Sequence, residues 1–149
     1  MSGGKDAEKD KTLTCWVPID AVTWRERKLE DIGRKEVMLN SLVYICSPYR
    51  GETERNIEYA KELTRKVLEY GYAPITPHLY LTQALDDENP KERELGLMAG
   101  QELLKHCEYI LIGSRYGISD GMQQEIILAC ETGVKELTLT KKGLEKVYP

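Results

Sequence analysis

The stretch Leu42–Gly51, LVYICSPYRG, decides the fold predicted for this chain. Its first five residues are apolar or aromatic and the run stops at a Ser-Pro pair, which is typical of a short strand buried on both faces. Pro48 cannot continue a central strand, and a helical pattern follows, so we interpret the segment as the first strand-helix unit of a parallel sheet. Ligands bind at the carboxyl ends of such strands. The candidate binding residues at this end are Ser47, Tyr49, Arg50 and Gly51.

The length and charge of the chain fit one domain that does not bind a nucleic acid polymer. The 149 residues carry a formal net charge of −4, which provides no basic surface for DNA or RNA. No apolar run approaches the roughly 20 residues of a membrane span, and the first residues lack the apolar segment of a signal peptide. We therefore expect a cytoplasmic protein with neither a nucleic-acid nor a membrane partner.

The cysteines and histidines do not indicate a metal or a cofactor. The four cysteines are scattered, without a CxxC pair or a closely spaced histidine, at Cys15, Cys46, Cys107 and Cys130. In the expected compartment they are predicted to be reduced structural thiols. His78 has no neighbour at a metal-ligand spacing. We expect no metal site and no cofactor.

The first forty residues differ from the rest of the chain. Residues 1–11 alternate charges among Gly and Ser and are predicted to be disordered. Residues 12–40 contain a short strand pattern followed by a charged, weakly amphipathic helix pattern. We interpret residues 1–40 as a partly disordered appendage, packed on the core or on a neighbouring subunit, and residues 41–149 as the main domain.

Helical and strand patterns alternate from residue 42 onwards. Periodicity and the positions of Gly and Pro predict helices over Thr53 to about Tyr70, Pro90 to about His106 and Asp120 to about Glu131. Strands are predicted over Leu42–Cys46, Tyr72–Ile75, Tyr109–Gly113 and Leu137–Leu139, and the tail is predicted to lie at the surface. This alternation predicts an α/β fold, a three-layer sandwich with a four- or five-stranded parallel sheet of the Rossmann or flavodoxin type.

A second strand end carries polar residues directly before a helix. Ser119 is a favourable N-cap, and the free amides of the first helical turn attract an anion, which Gly121 allows to approach closely. Asp120 lies between them, and Arg50 lies across the cleft, where it can add a charge-assisted contact to that anion. The alternative is an ordinary N-cap and a solvated surface arginine, and a lone Ser-Asp-Gly does not decide between the two.

Glu125 is the candidate for chemistry on the same helix. It borders the apolar stripe, and a carboxylate near a helix N-terminus is expected to be held ionised by the helix dipole. An ionised carboxylate beside an apolar pocket and an anion site can act as a nucleophile. The alternative is a simple dipole partner at the edge of the stripe.

Four other residues have simpler interpretations. Asp86 and Asp87 are general acids or, as we favour, parts of a charged turn. Tyr44 lies inside the first strand and is a core residue by default. His78 follows the second strand and either faces the cleft or is a partly exposed loop residue.

Together these residues resemble the nucleoside 2-deoxyribosyltransferase-like superfamily, which includes small deoxynucleoside 5′-monophosphate N-glycosidases. The resemblance covers roughly Leu42 to Leu139 and rests on VYICSPYRG, on a Pro-His pair after the second strand and on SDGMQQEI at the last helix. These motifs look most like uncharacterised bacterial and phage domains of a DUF4406-like group. The resemblance implies a nucleoside 2-deoxyribosyltransferase-like fold and cleavage or transfer of the N-glycosidic bond of a nucleoside or nucleoside 5′-monophosphate.

The same resemblance implies roles for individual residues. Glu125 matches the nucleophilic carboxylate that attacks C1′ of the sugar, and Tyr44 matches the tyrosine that helps to position it. His78 matches a histidine at the same strand end. The residues that match a 5′-phosphate site are Arg50, Gly51, Ser119 and Gly121.

The chain departs from the family pattern at two positions. Gly100 stands where the family has a second carboxylate, which helps the leaving base or the attacking hydroxyl. Asp120 replaces an apolar residue, and its charge opposes phosphate binding. Asp86, Asp87 and Glu102 are candidates for the missing carboxylate. These departures leave open an alternative function, a non-catalytic protein that senses or sequesters a nucleotide or a nucleotide-derived signal.

The Pro90–His106 segment carries more apolar residues than one contact with the sheet needs. An apolar surface that is not covered by the sheet is usually buried in a contact with another protein molecule. The resembled enzymes are dimers or larger. We therefore expect a homodimer or a higher symmetric homo-oligomer, formed through this helix and the segment before it.

Overall fold

The computed structural model describes residues 41–147 of the chain, so the appendage expected over residues 1–40 lies outside the described residues. The strands are β1 (Leu42–Cys46), β2 (Ala73–Ile75), β3 (Tyr109–Ile112), β4 (Lys135–Thr140) and β5 (Gly143–Lys146). The helices are α1 (Thr53–Glu69), α2 (Leu81–Ala84), α3 (Pro90–Lys105) and α4 (Asp120–Thr132), with a 3₁₀ turn at Pro77–Leu79. None of the helices in this part of the chain is long and apolar enough to cross a membrane.

The five strands form one sheet in the order β2-β1-β3-β4-β5. β1 lies between β2 and β3 and is parallel to both, and β3 is parallel to β4. Parallel strands connected through helices confirm the predicted α/β sandwich. The tail predicted to lie at the surface adds β5, an edge strand antiparallel to β4, so the sheet is mixed rather than wholly parallel.

Alternate residues of β1 enter two different cores. Val43 and Ile45 pack in a cluster with Tyr59, Leu63, Val67, Tyr109, Leu111 and Leu137. Tyr44 and Cys46 pack on the other face with Leu104, Cys107, Ile110, Met122, Ala129 and Val134. Because side chains alternate across a strand, the single apolar run of β1 supplies both layers. α1 covers the first face of the sheet, and α3 and α4 cover the second.

α1 forms over nearly the whole predicted range because its apolar residues repeat at helical spacing. Ala60, Leu63 and Val67 are buried against the sheet. Packing of this apolar stripe, more than intrinsic propensity, stabilises a helix in a folded protein. The chain leaves the helix through Gly71, whose φ of +83° suits a residue without a Cβ.

The carboxyl ends of β1 and β3 meet where the chain changes its direction across the sheet. From β1 it passes through α1 to β2 on one side, and it then crosses through α3 to β3 on the other side. In open parallel sheets of this strand order, the crevice between those two strands is the usual ligand site. The fold therefore places the end of β1 and the start of α4 at one cleft.

Candidate functional site

A pocket of about 300 Å³ opens at this cleft. Its walls come from the β1–α1 loop, the 3₁₀ turn with α2, one face of α3 and the first turns of α4. The predicted site residues that line it are Tyr44, Ser47, Tyr49, Arg50, His78, Ser119, Asp120, Gly121 and Glu125. Gly51 does not line the pocket; it lies in the β1–α1 loop with a φ of +92°, a conformation that favours glycine.

Glu125 and Tyr44 meet inside the pocket. Glu125 lies in the second turn of α4, and the Tyr44 hydroxyl donates a hydrogen bond to its Oε2 atom. Tyr44 is only 2% exposed, so packing in the second cluster fixes its position. The contact orients the carboxyl group of Glu125 from the strand beneath it.

The ionisation expected for Glu125 from the helix dipole is wrong. Burial raises the pKa of its carboxyl group from 4.5 to about 7, although hydrogen bonds from Tyr44 and Cys46 act in the opposite direction. Loss of solvation therefore outweighs the favourable contacts. At neutral pH the group is divided between its acid and carboxylate forms. Burial and the neighbouring carboxyl group also raise the pKa of Tyr44, which stays protonated.

The start of α4 has the predicted cap. The Ser119 side chain accepts a hydrogen bond from the Met122 amide at 3.2 Å. Nothing lies within 4 Å of the position that a Cβ of Gly121 would occupy, so this helix end is open. Asp120 lines the pocket beside it. An anion bound here has both the helix amides and a negative charge as neighbours.

Arg50 is held in an ion pair at the rim of the pocket. Its Nε atom lies 2.8 Å from Asp87 Oδ2, and Arg93 Nη1 lies 3.3 Å from the same oxygen. In the turn before α3, Asp86 Oδ1 accepts the Glu88 amide at 3.0 Å. The geometry favours the charged-turn interpretation of Asp87 over a general acid. Two arginines share this one carboxylate, and the acidic side chains of Glu92 and Asp120 line the same pocket.

Two aromatic rings form a flat surface in the pocket. The centroids of Tyr49 and His78 lie 5.3 Å apart, and the ring planes differ by 23°. Burial lowers the pKa of His78, against a hydrogen bond with the Ser47 backbone and the charge of Asp87, so the ring is neutral at pH 7. A neutral stacked pair of this kind is able to extend its stack to a third planar ring.

Polar groups without a protein partner also line the pocket. Within residues 41–147, Ser47 Oγ is the buried side-chain atom for which no hydrogen-bond partner is found. The Gln101 and Gln124 side chains line the pocket too. A buried hydroxyl costs free energy until a water or a ligand satisfies it, so we expect Ser47 to contact what binds here. In the same range, no group of three His, Cys, Asp or Glu residues is arranged to hold a metal.

α3 presents bare backbone to the pocket next to Tyr44. A Cβ added to Gly100 would lie 3.1 Å from the Tyr44 hydroxyl oxygen, so the helix passes close to this tyrosine. Of the three candidates for a second carboxylate, Asp87 lines the pocket and Asp86 does not. Glu102 points elsewhere, because its carboxylate pairs with Lys105 and His106 on the exposed face of α3.

The sequence argument missed most of this wall. The α3 residues that line the pocket are Glu92, Arg93, Gly96, Leu97, Gly100 and Gln101. Their repeat at one helical turn is visible in the sequence. Which helix face turns toward the cleft depends on how α3 crosses the sheet, and that information is not local.

The fold is similar to that of solved enzymes with low sequence identity. A 2-deoxyribosyltransferase from the psychrotolerant bacterium Bacillus psychrosaccharolyticus matches with a TM-score of 0.56 and 12% identity, over 66% of this chain and 71% of that one. The CMP N-glycosidase BcmB of Clostridium botulinum matches with a TM-score of 0.41 and 16% identity, over 66% and 67%. No curated protein matches the sequence. The first of these similarities confirms the predicted fold.

A family model places the sequence among its relatives. The model that matches is a domain of unknown function, DUF7768, and the match covers residues 41–138. These residues run from the start of β1 into β4 and include every predicted site residue. The finer DUF4406-like assignment stays a prediction. Because the match covers more than half of its length, the chain belongs to the DUF7768 family.

Proposed function

We propose that this protein cleaves or transfers the N-glycosidic bond of a nucleoside or nucleoside 5′-monophosphate, with Glu125 as the nucleophile. The observation that carries the proposal is the hydrogen bond between Tyr44 and Glu125 inside the pocket. A carboxyl group that is oriented by a fixed donor and faces an open pocket suits a mechanism through a glycosyl ester. The fold shared with a 2-deoxyribosyltransferase supports the same class of reaction.

The reaction proceeds by two displacements at C1′ of the sugar. A carboxylate oxygen of Glu125 attacks C1′, and the bond to the base nitrogen breaks with its electron pair leaving on the base, which takes up a proton. Water or an acceptor base then attacks C1′, loses a proton and releases Glu125 as a carboxylate. Two displacements retain the configuration at C1′. Tyr44 holds the carboxyl group in line for the first attack.

The walls of the pocket suit the parts of a nucleotide. The Tyr49–His78 stack supplies a flat surface for an aromatic base. The arginine pair at the rim, Arg50 and Arg93, supplies the positive charge and the planar donors that a phosphate group prefers. These features favour a nucleoside or nucleotide over a plain sugar glycoside.

The proposal is tested by release of free base from a panel of nucleosides and their 5′-monophosphates, followed by chromatography. We expect turnover with at least one of them and loss of at least 100-fold in kcat in Glu125→Ala, as for removal of a covalent nucleophile. Glu131→Ala, an exposed residue on the same helix that does not line the pocket, is the control and should keep full activity. Undiminished turnover in Glu125→Ala contradicts the mechanism.

Gly100 favours a second candidate function, binding of a nucleotide without turnover. With no carboxylate on α3 beside Tyr44, the pocket keeps its binding walls and lacks half of an acid–base pair. Thermal-shift measurements with the same panel distinguish the two, since a ligand at 100 times its Kd stabilises the fold by about 2.7 kcal/mol. A shift without release of base supports binding alone, and clean turnover contradicts it.

A further inference from the structure

The carboxylate of Asp87 joins two walls of the pocket. Asp87 lies in the turn before α3, and its Oδ2 atom accepts a hydrogen bond from Nε of Arg50, in the β1–α1 loop, at 2.8 Å. The same oxygen lies 3.3 Å from Nη1 of Arg93, in the first turn of α3. All three residues line the pocket. One carboxylate therefore holds two guanidinium groups from different elements at the rim.

Arg50 is held at two atoms of Asp87. Besides the contact of its Nε group, its Nη2 group donates to the Asp87 backbone carbonyl at 3.4 Å. The side chain of Arg50 is 52% exposed and that of Asp87 is 27% exposed. A single exposed ion pair adds little to stability, whereas charges that form a network hold a defined geometry. We therefore expect Asp87 to affect the position of the arginines more than the stability of the fold.

The turn that carries Asp87 is fixed by its own hydrogen bonds. The Asn89 amide donates to the Asp86 carbonyl at 3.0 Å, and Asp86 Oδ1 accepts the Glu88 amide at 3.0 Å. The Asn89 side chain caps α3 by accepting the Lys91 amide at 3.0 Å. None of these bonds uses the Asp87 side chain. The carboxylate is thus attached to an ordered backbone, and its substitution leaves the bonds of the turn in place.

Part of each guanidinium group remains available to a ligand. Within residues 41–147, no partner is found for Nη1 of Arg50 or for Nε and Nη2 of Arg93. A guanidinium group binds phosphate oxygens through its planar N–H donors. Two guanidinium groups that are already held in place lose less side-chain freedom when the phosphate binds.

We infer that Asp87 is a positioning residue, which holds Arg50 and Arg93 in place to bind the phosphate group of a nucleoside 5′-monophosphate. The identity of this ligand rests on the proposed function; the contacts themselves do not. Without Asp87 the two cations repel each other, and their long side chains spread over more rotamers at the open rim. The pocket then binds a 5′-monophosphate less tightly, although it has lost a negative charge.

The direction of the change separates this role from a simple effect of charge. The carboxylate of Asp87 repels a phosphate group, so removal of its charge alone should tighten the binding of a 5′-monophosphate. A carboxylate that merely competes with the ligand for the arginines predicts the same tightening. A positioning role predicts weaker binding of the 5′-monophosphate and unchanged binding of the nucleoside, which has no phosphate group.

The first measurement is calorimetric titration of Asp87→Asn with the nucleosides and 5′-monophosphates of the base-release panel. We expect wild type to bind at least one 5′-monophosphate more tightly than its nucleoside. Asp87→Asn should raise the Kd of that monophosphate about fivefold, since two side chains must be immobilised on binding, and Asp87→Glu should recover part of the loss. Glu88→Gln is the matched control, because it removes the same charge from an exposed residue of the same turn that does not line the pocket.

The second measurement needs no ligand. Heteronuclear NOE values of the arginine Nε–H groups, in ¹⁵N-labelled protein, report how well each side chain is ordered on the picosecond to nanosecond timescale. Arg50→Lys and Arg93→Lys assign the two signals. We expect both groups to be ordered in wild type and in Glu88→Gln, and to be mobile in Asp87→Asn.

The inference is supported if Asp87→Asn both weakens the binding of the 5′-monophosphate and loses the order of the two arginines. Unchanged or tighter binding overturns it, as does equal order of the arginines in Asp87→Asn and wild type. A wild-type protein that binds no 5′-monophosphate more tightly than its nucleoside overturns it as well. Release of base decides the proposed function separately. Turnover of nucleosides alone keeps that function and contradicts the inference, and phosphate-dependent binding without turnover does the reverse.

Discussion

At the scale of single residues, the ionisation of Glu125 affects both the stability of the fold and the proposed activity. Its pKa is about 7 in the folded protein and 4.5 for an unperturbed carboxyl group. Between pH 4.5 and about pH 7 the folded state binds more protons than the unfolded state. The free energy of unfolding therefore falls as the pH rises through this range. The free energy of unfolding falls by about 3 kcal/mol in total, and the fall is complete above pH 7.

The substitution Glu125→Gln is therefore expected to remove this pH dependence and to make the protein more stable than wild type at pH 8, by up to about 3 kcal/mol. Urea unfolding at pH 5 and pH 8 measures the difference. Glu131→Gln, which changes an exposed residue of the same helix, should unfold like wild type. If the free energy of unfolding of Glu125→Gln changes between pH 5 and pH 8 as much as that of wild type, the burial of this carboxyl group is contradicted.

The same ionisation predicts how activity depends on pH. Because the carboxylate is the form that attacks C1′, kcat/KM should rise with pH up to a plateau above about pH 7, the pKa of Glu125 in the free protein. Burial lowers the pKa of His78 below its usual value, so this ring does not add a rise above pH 7. A pH–rate profile measured from pH 5 to pH 9 checks the expectation. A plateau already reached at pH 5.5 contradicts it.

The residues of the site were easier to predict than their chemical state. Ser47, Ser119 and Glu125 could be placed at one cleft because strand ends and helix starts can be recognised from local patterns, and parallel topology brings them together. The pattern alone made Tyr44 a core residue, and only the resemblance implied a role beside Glu125. The pKa of Glu125 was predicted in the wrong direction, because the helix dipole is a local property and burial is not. How much water remains around the carboxyl group depends on how α3 and α4 close over β1.

At the scale of elements, the loop after β1 is fixed by a side chain of the helix that follows it. Asn56 of α1 is 1% exposed, and its Nδ2 donates to the carbonyl oxygens of Tyr49 at 3.0 Å and Arg50 at 3.2 Å. Both of those residues line the pocket. One buried amide thus ties the binding loop to the first layer of the fold.

We expect Asn56→Ala to leave these two carbonyl groups without their donor and to cost about 1–3 kcal/mol of folding free energy. Asn56→Asp keeps the size of the side chain, loses the N–H donors and should be destabilised as well. Urea unfolding measures the loss, and nucleotide binding should weaken at the same time because the loop is less ordered. The exposed Lys61→Ala on the same helix is the control. A fully stable Asn56→Ala contradicts the proposed anchor.

The long elements of this fold could be predicted to within a few residues, and the short ones could not. α1, α3 and α4 have stripes, caps or terminal glycines that mark both ends, such as Gly71 and Gly133 with positive φ. β5 has no such mark, since its residues are mostly exposed and it forms only by pairing with β4. α2 is a single turn whose position follows from the 3₁₀ turn before it.

At the scale of the whole molecule, the strand order follows from topology more than from any one segment. Strand-helix alternation predicts a parallel sheet with right-handed crossovers, but it does not say on which side of β1 each later strand is added. The order β2-β1-β3-β4-β5 places β1 between β2 and β3 and opens the cleft at the carboxyl ends of β1 and β3. The site depends on this arrangement, because its two halves follow β1 and β3, the neighbouring strands between which the chain reverses its direction across the sheet.

α3 exposes a group of large apolar side chains. Three of its apolar residues are exposed, Leu95 at 56%, Leu97 at 41% and Met98 at 59%. Leu97 also lines the pocket, so a partner that covers this face lies beside the mouth of the site. An apolar face next to a functional pocket is typical of a protein–protein contact. We retain the prediction that the protein is a symmetric homo-oligomer formed through this helix.

The double substitution Leu95→Glu and Met98→Glu is expected to convert the oligomer to a monomer of 17.0 kDa, because two buried charges per subunit oppose the contact. Light scattering behind a sizing column measures the mass at micromolar concentration. Leu68→Glu is the matched control, since Leu68 is 42% exposed on α1, on the opposite face of the sheet, and its substitution should leave the mass unchanged. A monomeric wild-type protein contradicts the prediction, and the exposed side chains of α3 are then surface residues without a partner.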